Sequence, residues 1–235
     1  MHPDGNALLV FAKQPTPGRV KTRLTPTLLP AEAAKLYHCM LQDTLTKAKS
    51  LAGAARFIFY VDEDGAADYF RGIAPGAELF PQEGETLGDR MENAFARAFA
   101  RSFQRVAIIG TDSPDLPPGF IESAFALLGN ENVDVVFGPA EDGGYYLLAM
   151  KRLHGELFRG ISWSSGSVLA DSLARCAAAG LTVELLPVWY DLDTVEDLQR
   201  PALVAELTDA PLTRAFIRTN SSLLQRGAVE SGATD

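Results

Sequence analysis

The chain has 235 residues, 47% of them hydrophobic and 22% charged, which suits one large domain with a real core in a water-soluble protein. Its formal net charge of −9 excludes a surface built for nucleic acid, because Lys and Arg are massed only near the start. The opening MHPDGNALLVFA lacks the basic segment and cleavage site of a signal peptide, no apolar run reaches membrane-span length, and Cys39 and Cys176 stand far apart without zinc spacing. A cytoplasmic protein with two buried thiols is the expectation.

Strand-like and helix-like segments alternate. Leu8–Ala12 reads as a strand, Ala31–Ser50 as a helix, Phe57–Val61 as a strand and Ala66–Phe70 as a short helix. Glu78–Phe80 is a weak strand, Leu87–Phe103 a strong amphipathic helix, Val106–Ile109 a continuous apolar strand and Phe120–Leu128 a helix. Val133–Phe137 and Tyr145–Met150 are strands around a Gly-rich turn, so the second can pair antiparallel. Val168–Ala179 is a helix, Thr182–Pro187 a strand, and Val195–Leu207 and Leu212–Leu224 are helices; Arg226–Asp235 reads as a polar tail. The alternation predicts an α/β fold, with a mostly parallel sheet covered on both faces over residues 1–225.

The segment Leu8–Leu24, LLVFAKQPTPGRVKTRL, carries the strongest chemical signal. A buried strand opens into a Pro/Gly loop bearing Lys13, Arg19, Lys21 and Arg23, and no carboxylate lies between Asp4 and Glu32. Such a cluster in an acidic protein points to a polyanionic ligand at a strand's carboxyl end, the alternative being a solvated basic loop. Neither a GxGxxG nor a P-loop is present; Gly18 lets backbone approach a phosphate among the cations.

VAIIGTDSPDL (Val106–Leu116) ends a buried strand in Thr111, Asp112, Ser113 and Asp115, placed either to hold a divalent cation or to cap the following helix. YDLDTVEDL (Tyr190–Leu198) sets Asp191 and Asp193 on one side of an extended segment, with Asp193 and Glu196 also at helix-capping spacing. GPAEDGGYY (Gly138–Tyr146) is either a tight turn or a sugar or acceptor site, with Asp142 as hydroxyl binder or general base and Gly143, Gly144 and Tyr145 around it. In ISWSSGSV (Ile161–Val168), Trp163, Ser164, Ser165 and Ser167 precede a helix as caps or as ligand contacts. PQEGETLGDR (Pro81–Arg90) brings Gly88 and Arg90 toward a base or ribose. His2, His38 and His154 are isolated.

In this order, FAKQPTPGRVKTRL, GTDSPDLP, EDGGYYLL, ISWSS and DLDTVEDL resemble the bacterial family of nucleotide-diphospho-sugar transferases grouped as DUF2064, within the GT-A superfamily, from about Leu8 to Leu198. The KTRL and DGG pieces are also similar to those of 2-phospholactate guanylyltransferases. The resemblance implies that Gly18, Arg19, Lys21 and Arg23 hold nucleotide phosphates, that Asp112 and Asp193 carry Mg²⁺ or Mn²⁺, and that the DGGYY loop faces sugar or acceptor. GTDSPD is not a strict Asp-x-Asp, and Val195 stands where relatives often have Pro.

These readings together favour a metal-dependent glycosyltransferase that takes a nucleotide-sugar donor and a small-molecule acceptor, with Asp142 or Asp115 near the attacking hydroxyl. The alternative is a nucleotidyltransferase, in which a phosphorylated acceptor attacks the α-phosphate of an NTP and pyrophosphate leaves. A nucleotide-binding regulator without turnover is the third reading, opposed by Asp112 and Asp193.

Overall fold

The computed structural model describes residues 5–206 and 208–221. Seven strands form one sheet in the order β3-β2-β1-β4-β6-β5-β7: β1 Asn6–Ala12, β2 Ala54–Tyr60, β3 Glu78–Pro81, β4 Arg105–Ile109, β5 Val135–Pro139, β6 Tyr145–Met150 and β7 Val183–Leu185. Strand β6 runs antiparallel to β4 and β5, and every other pairing is parallel, so the mixed sheet expected from the Gly-rich turn is present.

Alternate residues of each strand feed opposite faces. Leu9, Phe57, Ile108, Phe137 and Leu148 pack beneath α3 (Leu87–Ala100) and α5 (Val168–Ala178). Leu8, Val10, Ile109, Val136 and Leu147 pack against α4 (Pro118–Leu127) on the other face. Burial on both sides is why these strands read as unbroken apolar runs rather than as alternation. Helix α2 (Ala66–Ile73) closes the β2 end around Phe70.

Helix α1 (Pro30–Ser50) starts one residue before its expected boundary, with Pro30 in the first turn and Glu32 accepting from the Leu29 amide. It packs against α7 (Pro211–Thr219), whose own N-cap, Ala210, supplies no side chain acceptor. The buried Asp43 of α1 supplies it instead, accepting from the amides of Leu212 and Thr213 and from the Thr213 hydroxyl at 2.7–3.1 Å.

The helix expected over Val195–Leu207 is broken. Only a single 3-10 turn, Asp197–Gln199, and one short helix, α6 (Pro201–Val204), form there. Pro201 is the cause: the residue before a proline avoids the helical region, and Arg200 sits at ψ 132°. Leu207, the far end of the Leu212–Leu224 helix, the 226–235 tail and His2 lie outside the described residues. Cys176 is buried as expected, whereas Cys39 is only half-buried, and both thiols are free. Among the described residues no helix is long and apolar enough to cross a membrane.

Candidate active site

Parallel pairing of β1 with β4, with Val10 opposite Ile109, delivers the Lys13 loop and the Thr111–Asp115 loop to the same sheet edge. Tyr37 of α1 locks them together. Its buried hydroxyl accepts from the Lys13 amide at 3.1 Å and lies 2.8 Å from the Thr111 hydroxyl. Burial, and after it the Asp112 carboxylate, pushes the Tyr37 phenol up to about 12, so it stays a neutral bridge.

The loop turns through Gly18, at φ +78°, and reaches Lys21, at φ +48°, before one 3-10 turn over Thr22–Leu24. The Lys21 side chain is 3% exposed, and its ammonium lies 2.5 Å from Asp112 and 3.0 Å from Asp193. Burial opposes that charge, but the two carboxylates outweigh it and hold the Lys21 ammonium above its ordinary range. Burial likewise works against ionisation of Asp112, and Lys21, with help from Lys13, overrides it and keeps the carboxyl below the usual range. Exposed Arg23 reaches the second Asp193 oxygen at 3.3 Å. Arg19 turns aside to Glu63 at 3.2 Å, and Lys13 is exposed.

The segment after β7 completes the site. It follows β5 through hydrogen bonds from Leu186 to Phe137 and from Trp189 to Pro139, and then the Leu192 amide donates to the Asp112 carbonyl at 2.8 Å. That path places Asp191 and Asp193 beside Asp112. The Ser113 hydroxyl donates to Asp191 at 2.7 Å, while burial, followed by the Asp112 charge, pushes the Asp191 carboxyl up to about 6. A cavity of ≈ 70 Å³ lies behind this group, lined by Thr44, Lys47, Ser113 and Tyr146 among others. Lys47 donates to the Pro114 carbonyl at 2.7 Å, and burial lowers its ammonium to about 8.

Asp115, read as a catalytic candidate, faces inward instead. It is 3% exposed and accepts from the Trp189 indole at 3.3 Å and from the Tyr190 hydroxyl. Its position is that of a strut joining the two loops, so of the two carboxylates in GTDSPD only Asp112 opens to the cleft.

The remaining candidates divide between the cleft rim and the packing beneath it. Asp142 is exposed and accepts from the Gly144 amide at 2.8 Å, closing its own turn. Gly143 has φ +88°, and a Cβ there would stand 2.0 Å from the Gly166 carbonyl, so this turn and the serine loop touch backbone to backbone. The Gly143 carbonyl also accepts from the Leu169 amide at the start of α5. Tyr145 stacks edge-on against Phe137, with its phenol raised by burial. Ser165 bonds the Ser162 carbonyl and the Ser167 hydroxyl, and Ser167 bonds Asp171, so no serine caps α5 through its side chain; exposed Ser164 sits at φ +65°. Gly88 is buried: a Cβ there would meet the Phe158 carbonyl and the Trp163 ring at 2.7 Å. It is thus a helix-packing position, and Trp163 is its lid. Arg90 holds the Gly84 carbonyl at 3.0 Å and shapes the 81–90 loop. Capping after Asp193 falls to Asp197, which accepts from the Asp193 and Thr194 amides, rather than to Glu196.

Comparison with known proteins fits this architecture. The model of a family of uncharacterized proteins conserved in bacteria, DUF2064, matches residues 44–165. The chain belongs to this family. A solved structure from Desulfovibrio desulfuricans G20, provisionally named a nucleotide-diphospho-sugar transferase, is 32% identical, with TM-score 0.86 over 95% of this chain and 98% of that one. The phosphoenolpyruvate guanylyltransferase of Nocardia farcinica is 29% identical over 209 residues, 85% of this chain and 86% of its own. The 2-phospho-L-lactate guanylyltransferase of Methanothermobacter thermautotrophicus is 29% identical over 202 residues, 84% of each. The family and the guanylyltransferase likeness are those that the motifs indicated.

In this DUF2064 protein no three His, Cys, Asp or Glu side chains among the described residues form a ready-made metal centre. The donor chemistry nevertheless fits Mg²⁺ or Mn²⁺: Asp112 and Asp193 already converge on one cation, and such ions are held by one or two carboxylates plus substrate phosphates. Three contributors escaped the sequence reading: Tyr37, Ser113 as a partner of Asp191, and Lys47. A buried Tyr or Lys at a core-facing helix position is the kind of signal that could have found two of them, since each must satisfy its polar tip.

Proposed function

We propose that this protein is a nucleotidyltransferase that transfers a nucleotidyl group, guanylyl first among the candidates, from an NTP to a small phosphorylated acid. The observation that carries the reading is Lys21 joined to both Asp112 and Asp193, which sets a phosphate-seeking cation and two oxygen donors for a metal at one point. The likeness to two guanylyltransferases, over 84–85% of this chain, supports this over the sugar transfer that the motifs favoured. The inward turn of Asp115 leaves Asp112 as the carboxylate of GTDSPD that opens to the cleft, beside Asp193.

In this reading Lys13, Lys21 and Arg23 gather the triphosphate at the end of β1, and Arg19 joins them by leaving Glu63. An oxygen of the acceptor's phosphate attacks the α-phosphorus, the bond to the β-phosphate oxygen breaks, and pyrophosphate leaves. Lys21 and Arg23 offset charge building on the leaving group. Asp112 and Asp193 would hold Mg²⁺ or Mn²⁺, which supplies Lewis-acid stabilisation of phosphoryl oxygens when bound. Because the attacking oxygen belongs to an ionised phosphate, no general base is required, and Asp142 is free to serve its turn. In this reading Gly143, Gly144 and Ser164 form the acceptor side of the cleft, while Trp163 packs against Gly88.

The test is pyrophosphate release from a panel of NTPs, with 2-phospholactate or phosphoenolpyruvate and Mg²⁺ or Mn²⁺. Release from GTP that depends on the acid is the expected result. Turnover of a nucleoside diphosphate sugar without pyrophosphate would restore the glycosyltransferase reading.

A further inference from the structure

The gap between Asp112 and Asp193 already contains a positive charge, and it belongs to the protein. The Lys21 ammonium enters from the interior, its side chain 3% exposed, while the Asp112 and Asp193 side chains are 50% and 37% exposed and open to the cleft. We propose that Lys21 and a divalent cation are alternative occupants of this gap, so that the free protein binds metal weakly and an arriving triphosphate, by drawing Lys21 onto its phosphates, makes room for the metal. The inference rests on the nucleotidyltransferase reading for the identity of the two cations' partners.

Both cations cannot share the two oxygens that Lys21 holds. A magnesium ion takes carboxylate oxygens at about 2.0–2.1 Å, and the Lys21 nitrogen lies 2.5 and 3.0 Å from oxygens of the same pair. The two positive charges would stand almost in contact, with no anion between them. Arg23 does not fill the same role, because it meets Asp193 from outside with 74% of its side chain exposed.

Local backbone makes Lys21 the part that can leave. Its φ of +48° lies in the left-handed region, disfavoured for a residue with a side chain, so the ion pairs hold it in a conformation it would otherwise relax from. Only three helical residues, Thr22–Leu24, follow it, and Gly18 gives the loop a pivot on the other side. Its flexible four-carbon stem lets the ammonium swing while the carboxylates stay fixed by the Leu192–Asp112 backbone bond. In the free protein Lys21 offsets one of the pair's two negative charges and exposed Arg23 meets the other, whereas a divalent ion alone matches both as Lys21 passes to the phosphates.

The experiment is Mn²⁺ binding to the whole protein without nucleotide, read by the electron paramagnetic resonance of free Mn²⁺. Lys21→Met should bind Mn²⁺ about tenfold or more tightly than wild type, since the competing charge is gone. Wild type should gain affinity when a non-hydrolysable GTP analogue is added. An affinity in Lys21→Met equal to or below wild type would overturn the proposal. A second readout uses the wild-type chain alone: acetylation of the Lys21 amine, followed by peptide mass spectrometry, should accelerate several-fold at saturating Mn²⁺, and an unchanged rate counts against it. Neither readout involves turnover. A protein that exchanges Lys21 for Mn²⁺ but releases no pyrophosphate would remove the function proposed above and leave this inference; the converse result would do the opposite.

Discussion

The Leu192 amide donates to the Asp112 carbonyl at 2.8 Å, tying by backbone the same two segments whose carboxylates share Lys21. The two acidic groups are therefore fixed relative to one another before any ligand arrives. Preorganisation of this kind lets charge stabilisation act without reorganisation during reaction.

Asp193 and Asp115 should respond oppositely to the same isosteric change. Asp193→Asn should cut nucleotide turnover by about 10²-fold or more with little loss of fold. Asp115→Asn should cost about 1–3 kcal/mol of stability, because an amide presents a donor to the Trp189 and Tyr190 donors. Steady-state rates and urea unfolding on both variants separate the roles; a stable but inactive Asp115→Asn would return that residue to the chemistry.

Gly88→Ala should lower stability by about 1–3 kcal/mol while nucleotide affinity of the folded fraction stays the same. The added methyl meets the Phe158 carbonyl and the Trp163 ring, not the cleft. Calorimetric titration with GTP decides it, and a loss of affinity without loss of stability would put Gly88 at the nucleotide.

Lys47 sets a pH dependence whose sign follows from its lowered ammonium. Below about pH 8 it is charged in both folded and unfolded chains, and the cost of burying that charge is fully present. Between that point and the ordinary value of 10.5 the unfolded chain binds more protons, so stability contributed by this group rises with pH. The difference between wild type and Lys47→Met should swing toward wild type by up to about 3 kcal/mol across this window. Taking the difference cancels the tyrosines, which titrate in both proteins. Urea unfolding at several pH values measures it, and a flat difference would mean an unperturbed lysine.

Asp43→Ala should destabilise by about 2 kcal/mol, since three donors at the start of α7 lose their acceptor. Hydrogen exchange should show the protection of Pro211–Thr219 falling first; uniform loss across the chain would argue against a local cap.

Much of the fold was legible because buried parallel strands leave a plain trace. Leu8–Ala12 and Val106–Ile109 are apolar at every position, and their pairing alone brings the two charged loops together. The broken helix at Pro201 was also readable in principle, but the apolar spacing on either side of the proline masked it. The inward turn of Asp115 was not readable. Its partners lie 74 and 75 residues away, and in the sequence it is indistinguishable from Asp112. The same holds for Lys21, whose two carboxylates are 91 and 172 residues distant. Sugar transfer and nucleotidyl transfer ask for the same charges, so spacing alone does not rank them.

Tyr37 gives helix α1 a timing function in the geometry of the cleft. Its hydroxyl is the peg on which the first loop and the Thr111 loop both hang. One residue inserted between Pro30 and Tyr37 would turn that peg through about 100° and leave each loop to find its own height above the sheet. The spacing between the start of α1 and a single phenol thus acts as a gauge for the distance between the Lys13 loop and the Thr111 loop.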